Sequence, residues 1–192
     1  IFLHACFQLY AYHPREEKIT CVLPEISPGN AFYAQCHIAP DNNLWVMTST
    51  GLRCYDPSTL QLKESVALSG YPYYSYLHNN ELWITGNHTL SIFDTRTHSF
   101  KPLPQPIAHN TTLCNADIDY IHPYGNNGLL LNTARHGMFY YNPGTGSVTR
   151  QDENGFPFEM PRFRISRMFT DSQQNLWIGS VDQGYTVCYH YK

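Results

Sequence analysis

Five short segments of the chain combine aromatic, basic and amide side chains that can stack and form hydrogen bonds. They are SGYPYYSY (69–76), GNHT (86–89), TARHG (133–137), MPRFRIS (160–166) and SVDQG (180–184). Tyrosine rings can stack on a sugar face, and arginine forks can hold hydroxyls, a uronate or a sulfate. The candidate ligand-binding residues are Tyr71, Tyr73, Tyr74, Asn87, His88, Arg135, His136, Arg162, Arg164 and Asp182. Solvent exposure on a loop or packing between sheets explains any single one of them, so only the set favours a binding face.

The composition indicates a globular chain with thinly spread charge. Its 192 residues are 42% hydrophobic, and 12 basic against 15 acidic residues give a net charge of −3. No basic cluster is available to neutralise phosphates, which argues against a nucleic-acid partner. Apolar runs fall short of the roughly 18–20 residues that span a bilayer, so we expect no membrane contact by this segment. The six cysteines match no zinc or redox spacing; we expect buried free thiols, with disulfides as the alternative.

The elements that position the five segments come from an internal repeat. Short runs rich in Val, Ile, Tyr, Phe, Trp and Thr alternate with turn-forming clusters, which is typical of an all-β chain. The stretch LWVMTSTGLRCYDP (44–57) recurs, with changes, at 1–14, 82–94, 129–143 and 176–189. Its anchor residues lie 43, 38, 47 and 47 residues apart and are Phe2, Trp45, Trp83, Leu130 and Trp177. Such spacings, in the range of roughly 40–50 residues, predict a β-propeller built of four-stranded antiparallel blades.

Each repeat is predicted to hold four strands. An approach strand, such as 34–39 or 166–170, leads through a polar turn to the anchor strand. A bend (TSTG, GNHT, TARHG or SVDQG) then returns the chain into a third strand, and a turn such as DPSTL precedes an outer strand such as 60–64. The third strand ends at Tyr12, Tyr55, Phe93, Tyr141, and either Cys188 or Tyr189. The three tryptophan anchors are predicted to fill the core between blades, because aromatic side chains dominate core burial.

The predicted boundaries describe part of a propeller. About three complete blades cover 23–66, 67–106 and 107–154, with part-blades at 1–22 and 155–192. Exposed terminal blades would present unpaired strand edges, so we expect the remaining blades to come from the rest of the protein.

Metal binding, catalysis and protein scaffolding are alternative roles. His37 and His122 each lie eight residues before an anchor and can face a central channel, but no metal-ligand spacing accompanies them, so we expect no metal or other cofactor. A propeller lyase or glycosidase needs paired carboxylates or a Tyr/His base, and the acids placed for the binding face are Asp117, Asp119, Glu159 and Asp182. We expect no enzymatic activity in this segment. A scaffold would instead show an exposed apolar patch without a sugar-sized cleft.

Two segments carry a family resemblance. DSQQNLWIGS (171–180) and LWVMTSTGLRCYDP (44–57) resemble the two-component regulator propeller repeat, and the match is weakest at 129–143, where Leu130 replaces the tryptophan. The resemblance implies the periplasmic sensor domain of an inner-membrane hybrid two-component protein of polysaccharide-degrading gut bacteria. Such a domain detects an oligosaccharide and controls genes for glycan use. The implied partners are that ligand, the remaining blades and the downstream signalling domains, and the resemblance allows a homodimer.

Overall fold

The computed structural model describes residues 1–5, 8–23, 35–125, 127–160, 165–181 and 184–188. Their strands form five antiparallel sheets, and within each sheet the strands are adjacent in chain order. The chain forms two compact units, Ile1–Pro102 and Leu103–Lys192. The all-β class is therefore confirmed, and the succession of sheets is consistent with a propeller-like fragment. The number and extent of the blades stay predictions.

The first unit contains three sheets. Sheet 1 is formed by β1 (Phe2–Ala5), β2 (Gln8–His13) and β3 (Lys18–Leu23). Sheet 2 is formed by β4 (Gln35–Ile38), β5 (Leu44–Thr48), β6 (Gly51–Tyr55) and β7 (Leu62–Val66). Sheet 3 is formed by β8 (Pro72–His78), β9 (Glu81–Gly86), β10 (Thr89–Asp94) and β11 (Ser99–Lys101).

The second unit begins with two single-turn helices, α1 (Gln105–Ala108) and α2 (Thr111–Cys114). Sheet 4 follows with β12 (Ile118–Tyr124), β13 (Gly128–Thr133), β14 (Gly137–Asn142) and β15 (Ser147–Arg150). Sheet 5 consists of β16 (Ile165–Thr170), β17 (Leu176–Ser180) and β18 (Tyr185–Cys188). Within the part of the chain that the structure describes, no helix has the length and apolar character needed to cross a membrane.

The turn between the first and second strands follows the predicted chemistry in sheets 2 to 5. Each turn contains a left-handed residue other than glycine, with φ of 63°, 55°, 66° and 68° at Asn42, Asn79, Asn127 and Gln174 respectively, and the sheet 4 turn also has Gly125 at φ 61°. Asparagine tolerates this conformation better than most side chains. Asp41 and Asp171 add a cap, because their Oδ1 atoms accept hydrogen bonds from Asn43 N at 3.0 Å and Gln173 N at 2.9 Å.

The turn after the third strand is capped in the same way in sheets 2, 3 and 4. The Oδ1 atom of Asp56, Asp94 or Asn142 accepts backbone N–H groups two and three residues further on. Hydrogen bonds from the backbone of Thr59 and Ser58 lower the pKa of Asp56 to about 2. Leu60 is left-handed at φ 59° and donates its N–H to Asp56 O at 2.8 Å. The predicted outer strand 60–64 is therefore wrong at its start: β7 begins only at Leu62.

Strand register identifies the equivalent end of every third strand. Leu44 faces Tyr55, Leu82 faces Phe93 and Leu129 faces Tyr141, all within antiparallel pairs. In sheet 5, Leu176 faces Cys188. Cys188 is therefore the counterpart of the buried aromatics, and the alternative, Tyr189, lies outside the described residues.

The core of the first unit lies between sheets packed face to face. Leu9 and Ala11 of sheet 1 meet Leu44, Val46 and Tyr55 of sheet 2. The opposite face of sheet 2, with Trp45 and Met47, meets Leu82, Ile84 and Phe93 of sheet 3. Trp45 is fully buried, and its ring lies 5.0 Å from that of Phe93. Burying such a side chain contributes roughly 4–6 kcal/mol of transfer free energy, and Trp83 is almost as deeply buried.

The core of the second unit is built from Leu130 and Met138 of sheet 4 and Met168, Leu176 and Ile178 of sheet 5. Trp177 departs from the prediction, because it is only half-buried. Its Nε1 donates a hydrogen bond to Asp171 Oδ2 at 2.9 Å, and its ring lies 5.4 Å from that of the exposed Tyr185. The face of sheet 5 that carries Trp177 is thus more open than the Trp45 face of sheet 2.

Four of the five described cysteines are at least half-buried, as the sequence predicts, but Cys21 is exposed, so the prediction is wrong for that residue. Cys54 is buried, and Cys36, Cys114 and Cys188 are half-buried free thiols. Burial raises the pKa of the Cys36, Cys54 and Cys188 thiols, which keeps them protonated. Cys6 lies outside the described residues.

Candidate ligand-binding site

A β-bulge recurs at the same place in the first strand of sheets 3, 4 and 5. The ladder register skips one residue between Pro72 and Tyr74, between Ile118 and Tyr120, and between Ile165 and Arg167. The extra residues are Tyr73, Asp119 and Ser166. A bulge leaves the extra residue out of the ladder and re-aims its side chain, and such bulges are common beside functional sites. All three lie at the strand end next to the bend that joins the second and third strands.

In sheet 3 the bulge brings two tyrosines to the bend. Tyr71 is 43% exposed, and its ring centroid lies 6.2 Å from that of Tyr73 at an interplanar angle of 71°. The Tyr73 hydroxyl donates a hydrogen bond to Asn87 Oδ1 at 3.2 Å. Asn87 N in turn donates to Tyr71 O at 3.3 Å. The aromatic pair is therefore fastened to the bend by contacts from both of its members.

The bend itself is tight. A Cβ atom at Gly86 would lie 2.6 Å from Thr89 Oγ1 and 2.7 Å from Tyr71 O, so only glycine allows this close approach. His88 is left-handed at φ 51°, and both His88 and Asn87 have exposed side chains. The structure thus brings together four of the predicted residues, Tyr71, Tyr73, Asn87 and His88, which we call the bend patch.

The other predicted residues are placed apart from this group or outside the described chain. Tyr74 is half-buried next to the patch, and its carbonyl accepts a hydrogen bond from Thr85 Oγ1 at 3.4 Å. Arg135 and His136 are exposed on the corresponding bend of sheet 4, in the second unit. Arg162, Arg164 and Asp182 lie outside the described residues.

The bends of sheets 2 and 4 are held by a threonine. Thr48 Oγ1 donates to Gly51 O at 3.0 Å, and Thr133 Oγ1 donates to Gly137 O at 2.7 Å. In sheet 4 the same hydroxyl accepts the His136 N–H at 3.0 Å, and Arg150 Nε donates to His136 O at 3.1 Å. These hydrogen bonds fix the backbone of both bends before any ligand arrives. Less conformational entropy would therefore be lost when a ligand binds there.

Sequence reasoning missed a depression beside the bend of sheet 2. This open depression has a volume of about 290 Å³ and is lined by Thr50, Gly51, Leu52, Arg53, Ser65, Val66 and Ala67. Gly51 is left-handed at φ 148°, and a Cβ atom there would collide with the Val66 carbonyl oxygen. The one available signal was Arg53, a cation two residues after the bend glycine.

His37 and His122 join neighbouring sheets. His37 Nε2 shares a hydrogen bond with Ser75 Oγ at 2.9 Å, and His122 Nε2 shares one with Thr170 Oγ1 at 2.8 Å. Burial lowers the pKa of each histidine to about 4, although the bond to Ser75 acts in the opposite direction for His37. Both imidazoles are therefore neutral at pH 7 and engaged within the protein. Among the described side chains, no cluster of three or more His, Cys, Asp or Glu residues could hold a metal ion.

Solved structures of other proteins share this architecture. The extracellular domain of the hybrid two component system BT4673 from B. thetaiotaomicron matches 100% of the chain with a TM-score of 0.74 and 21% identity. The chain shares the fold of this extracellular domain. The extracellular domain of the hybrid two component system BT3049 from the same organism matches 94% of the chain, with a TM-score of 0.63 and 17% identity. The predicted resemblance to sensor domains of hybrid two-component systems is confirmed at the level of fold.

The chain spans about a quarter of these structures, 26% of the BT4673 domain and 24% of the BT3049 domain. The computationally designed Ika4 protein is also similar, with a TM-score of 0.52 and 14% identity over 83% of the chain and 93% of Ika4. Neither a protein-family model nor a curated protein matches the chain.

Proposed function

We propose that the chain is an extracytoplasmic, ligand-sensing segment of a hybrid two-component signal transduction protein, and that it binds an oligosaccharide through the bend patch. The observation that carries the proposal is the pair formed by the exposed Tyr71 and the half-buried Tyr73, which is joined to Asn87 across the bend by hydrogen bonds. The shared fold with extracellular domains of hybrid two-component systems supports the sensing role and the location outside the cytoplasm. We further propose that it controls glycan-utilisation genes, as the sequence resemblance to the two-component regulator propeller repeat implies.

The chemistry of the bend patch suits a sugar. A pyranose has an apolar face that stacks on an aromatic ring and hydroxyls that need directional hydrogen bonds. Tyr71 offers an exposed ring, and the Asn87 side-chain amide and the His88 imidazole are exposed beside it. Little ordering is needed on binding, because the Tyr73 hydroxyl is bonded to Asn87, the Tyr71 carbonyl accepts the Asn87 N–H, and the two rings are in contact.

Calorimetry of the intact protein against a panel of oligosaccharides tests this proposal. We expect Tyr71→Ala to weaken binding by about 10-fold or more, because it removes the exposed stacking surface. Asn87→Ala should weaken binding by roughly 5- to 10-fold, since it removes an amide and leaves the Tyr73 hydroxyl without its acceptor. Phe100→Ala serves as the control, because Phe100 is an exposed aromatic on β11, at the opposite edge of the same sheet.

Two outcomes would contradict the proposal. One is a glycan that binds with unchanged affinity to both bend-patch variants. The other is tight binding of a protein partner with no binding of any oligosaccharide, which would favour a scaffold.

A further inference from the structure

We propose that the depression beside the bend of sheet 2 binds the carboxylate or sulfate group of an acidic oligosaccharide through Arg53. This inference rests on the proposed function, because it names the class of sugar that the bend patch would take.

Arg53 is a half-buried cation that has no anionic partner among the described residues. It makes no hydrogen bond or ion pair with any residue in the part of the chain that the structure describes, although it lines the depression with Thr50 and Ser65. A partly desolvated guanidinium gains free energy when an anion satisfies its N–H groups. Its planar fork matches a carboxylate or a sulfate in a bidentate arrangement. The site therefore favours an anionic group over a neutral hydroxyl.

The bend and connection segments beside the depression carry charge of one sign. Segments 48–53, 65–74 and 86–91 form the bends and connection on this side of sheets 2 and 3, and they contain no Asp, Glu or Lys. Arg53 is their only fully ionised side chain. A ligand anion would meet no carboxylate within these segments to repel it, and the local field would attract it.

The depression and the bend patch are close along the chain. Ala67 lines the depression and Tyr71 belongs to the patch, and Tyr71 is only four positions after Ala67 in the chain. Even a fully extended chain would cover only about 14 Å over that interval. A short oligosaccharide whose sugar ring lies on Tyr71 can therefore also reach the rim of the depression at Ala67. Gly51 keeps the floor of the depression free of a side chain.

The test is calorimetry of the intact protein with three oligosaccharides of equal length: one neutral, one containing uronates and one sulfated. We expect at least one charged ligand to bind about 10-fold or more tightly than the neutral one, with an affinity that falls as salt rises. Arg53→Gln should abolish that preference, because the charged ligand loses its cation and then binds no more tightly than the neutral one. Arg53→Lys, which keeps the charge but loses the fork, should retain part of it.

The control is Arg15→Gln, since Arg15 is an exposed arginine in the β2–β3 turn, at the strand end opposite the bends. Thermal unfolding of each variant confirms that it is folded. Equal affinity for all three ligands, or an undiminished charge preference in Arg53→Gln, overturns this inference alone and leaves the proposed function standing. Absence of binding by all three ligands overturns both. The comparison of the uronate and sulfate arms identifies the anion.

Discussion

At the scale of single residues, the candidate site could be predicted by type but not by arrangement. The sequence indicates which bends carry Tyr, Asn and His. The contact between Tyr73 and Asn87 depends on the bulge in β8, which leaves Tyr73 out of the ladder between Pro72 and Tyr74. A one-residue irregularity of this kind changes where a side chain points, and the local sequence SGYPYYSY does not specify it.

The buried histidines lead to a prediction about pH. An unfolded chain binds a proton on His122 below a pH of about 6.5, whereas the folded protein does so only near its lowered pKa of about 4. Between these values the unfolded state holds more protons, so the free energy of unfolding falls as the pH falls from about 6.5 to about 4. The loss reaches roughly 3 kcal/mol for this group, at about 1.4 kcal/mol per pKa unit. Below pH 4 this contribution levels off.

Chemical denaturation of wild type and His122→Gln at pH 7.5 and pH 4.5 measures this contribution. We expect the variant to lose less stability across the interval than the wild type, because glutamine has no proton to take up. Thr170→Ser keeps the hydroxyl that faces His122 Nε2 and should show the wild-type dependence on pH. Equal stability losses in wild type and His122→Gln would contradict the assignment.

At the scale of elements, the repeat predicts most of the strands because the residues of each turn show where one strand ends and the next begins. The capping Asp or Asn and the left-handed turn residues recur at fixed offsets, so the pattern could be recognised without tertiary information. The start of β7 was not predictable, since a left-handed leucine at position 60 is unusual. The helices α1 and α2 lie in the connection between β11 and β12, outside the four strands of a repeat.

Gly51, the bend glycine of sheet 2, tests whether the conformation of a bend depends on the residue type at one position. Gly51→Ala places a Cβ atom against the Val66 carbonyl oxygen at a backbone φ of 148°, a conformation that side chains rarely adopt. We expect a loss of about 1–3 kcal/mol in the free energy of unfolding.

Gly144→Ala is the matched control for this substitution. Gly144 does not have a positive φ, and a Cβ atom there would meet only Asn142 Oδ1, at 3.3 Å. Thermal unfolding of both variants should lower the Tm of Gly51→Ala by several degrees more than that of Gly144→Ala. The reverse order would show that the bend can relax.

At the scale of the whole molecule, the four-stranded sheets of both compact units share one pattern of burial. The second strand of each four-stranded sheet is almost completely buried and bonded on both sides, as in β5, β9 and β13. The outermost strands β7 and β11 are largely exposed and form a sheet edge. The anchors Trp45, Trp83 and Leu130 belong to these buried strands. Burial requires a large apolar side chain at each anchor, so these positions are similar from repeat to repeat, whereas the bends differ in sequence.

This pattern of burial predicts the order in which backbone amides exchange with solvent. Local opening requires less free energy where few side chains are buried, so exposed outer strands should open independently of the core. Hydrogen exchange followed by mass spectrometry should show β5, β9 and β13 as the slowest segments, protected at least about 10-fold more than β7 and β11. Because β9 and β11 belong to the same sheet, their comparison is internally controlled. Equal protection of β9 and β11 would mean that sheet 3 opens as one unit, with no separate opening of its outer edge.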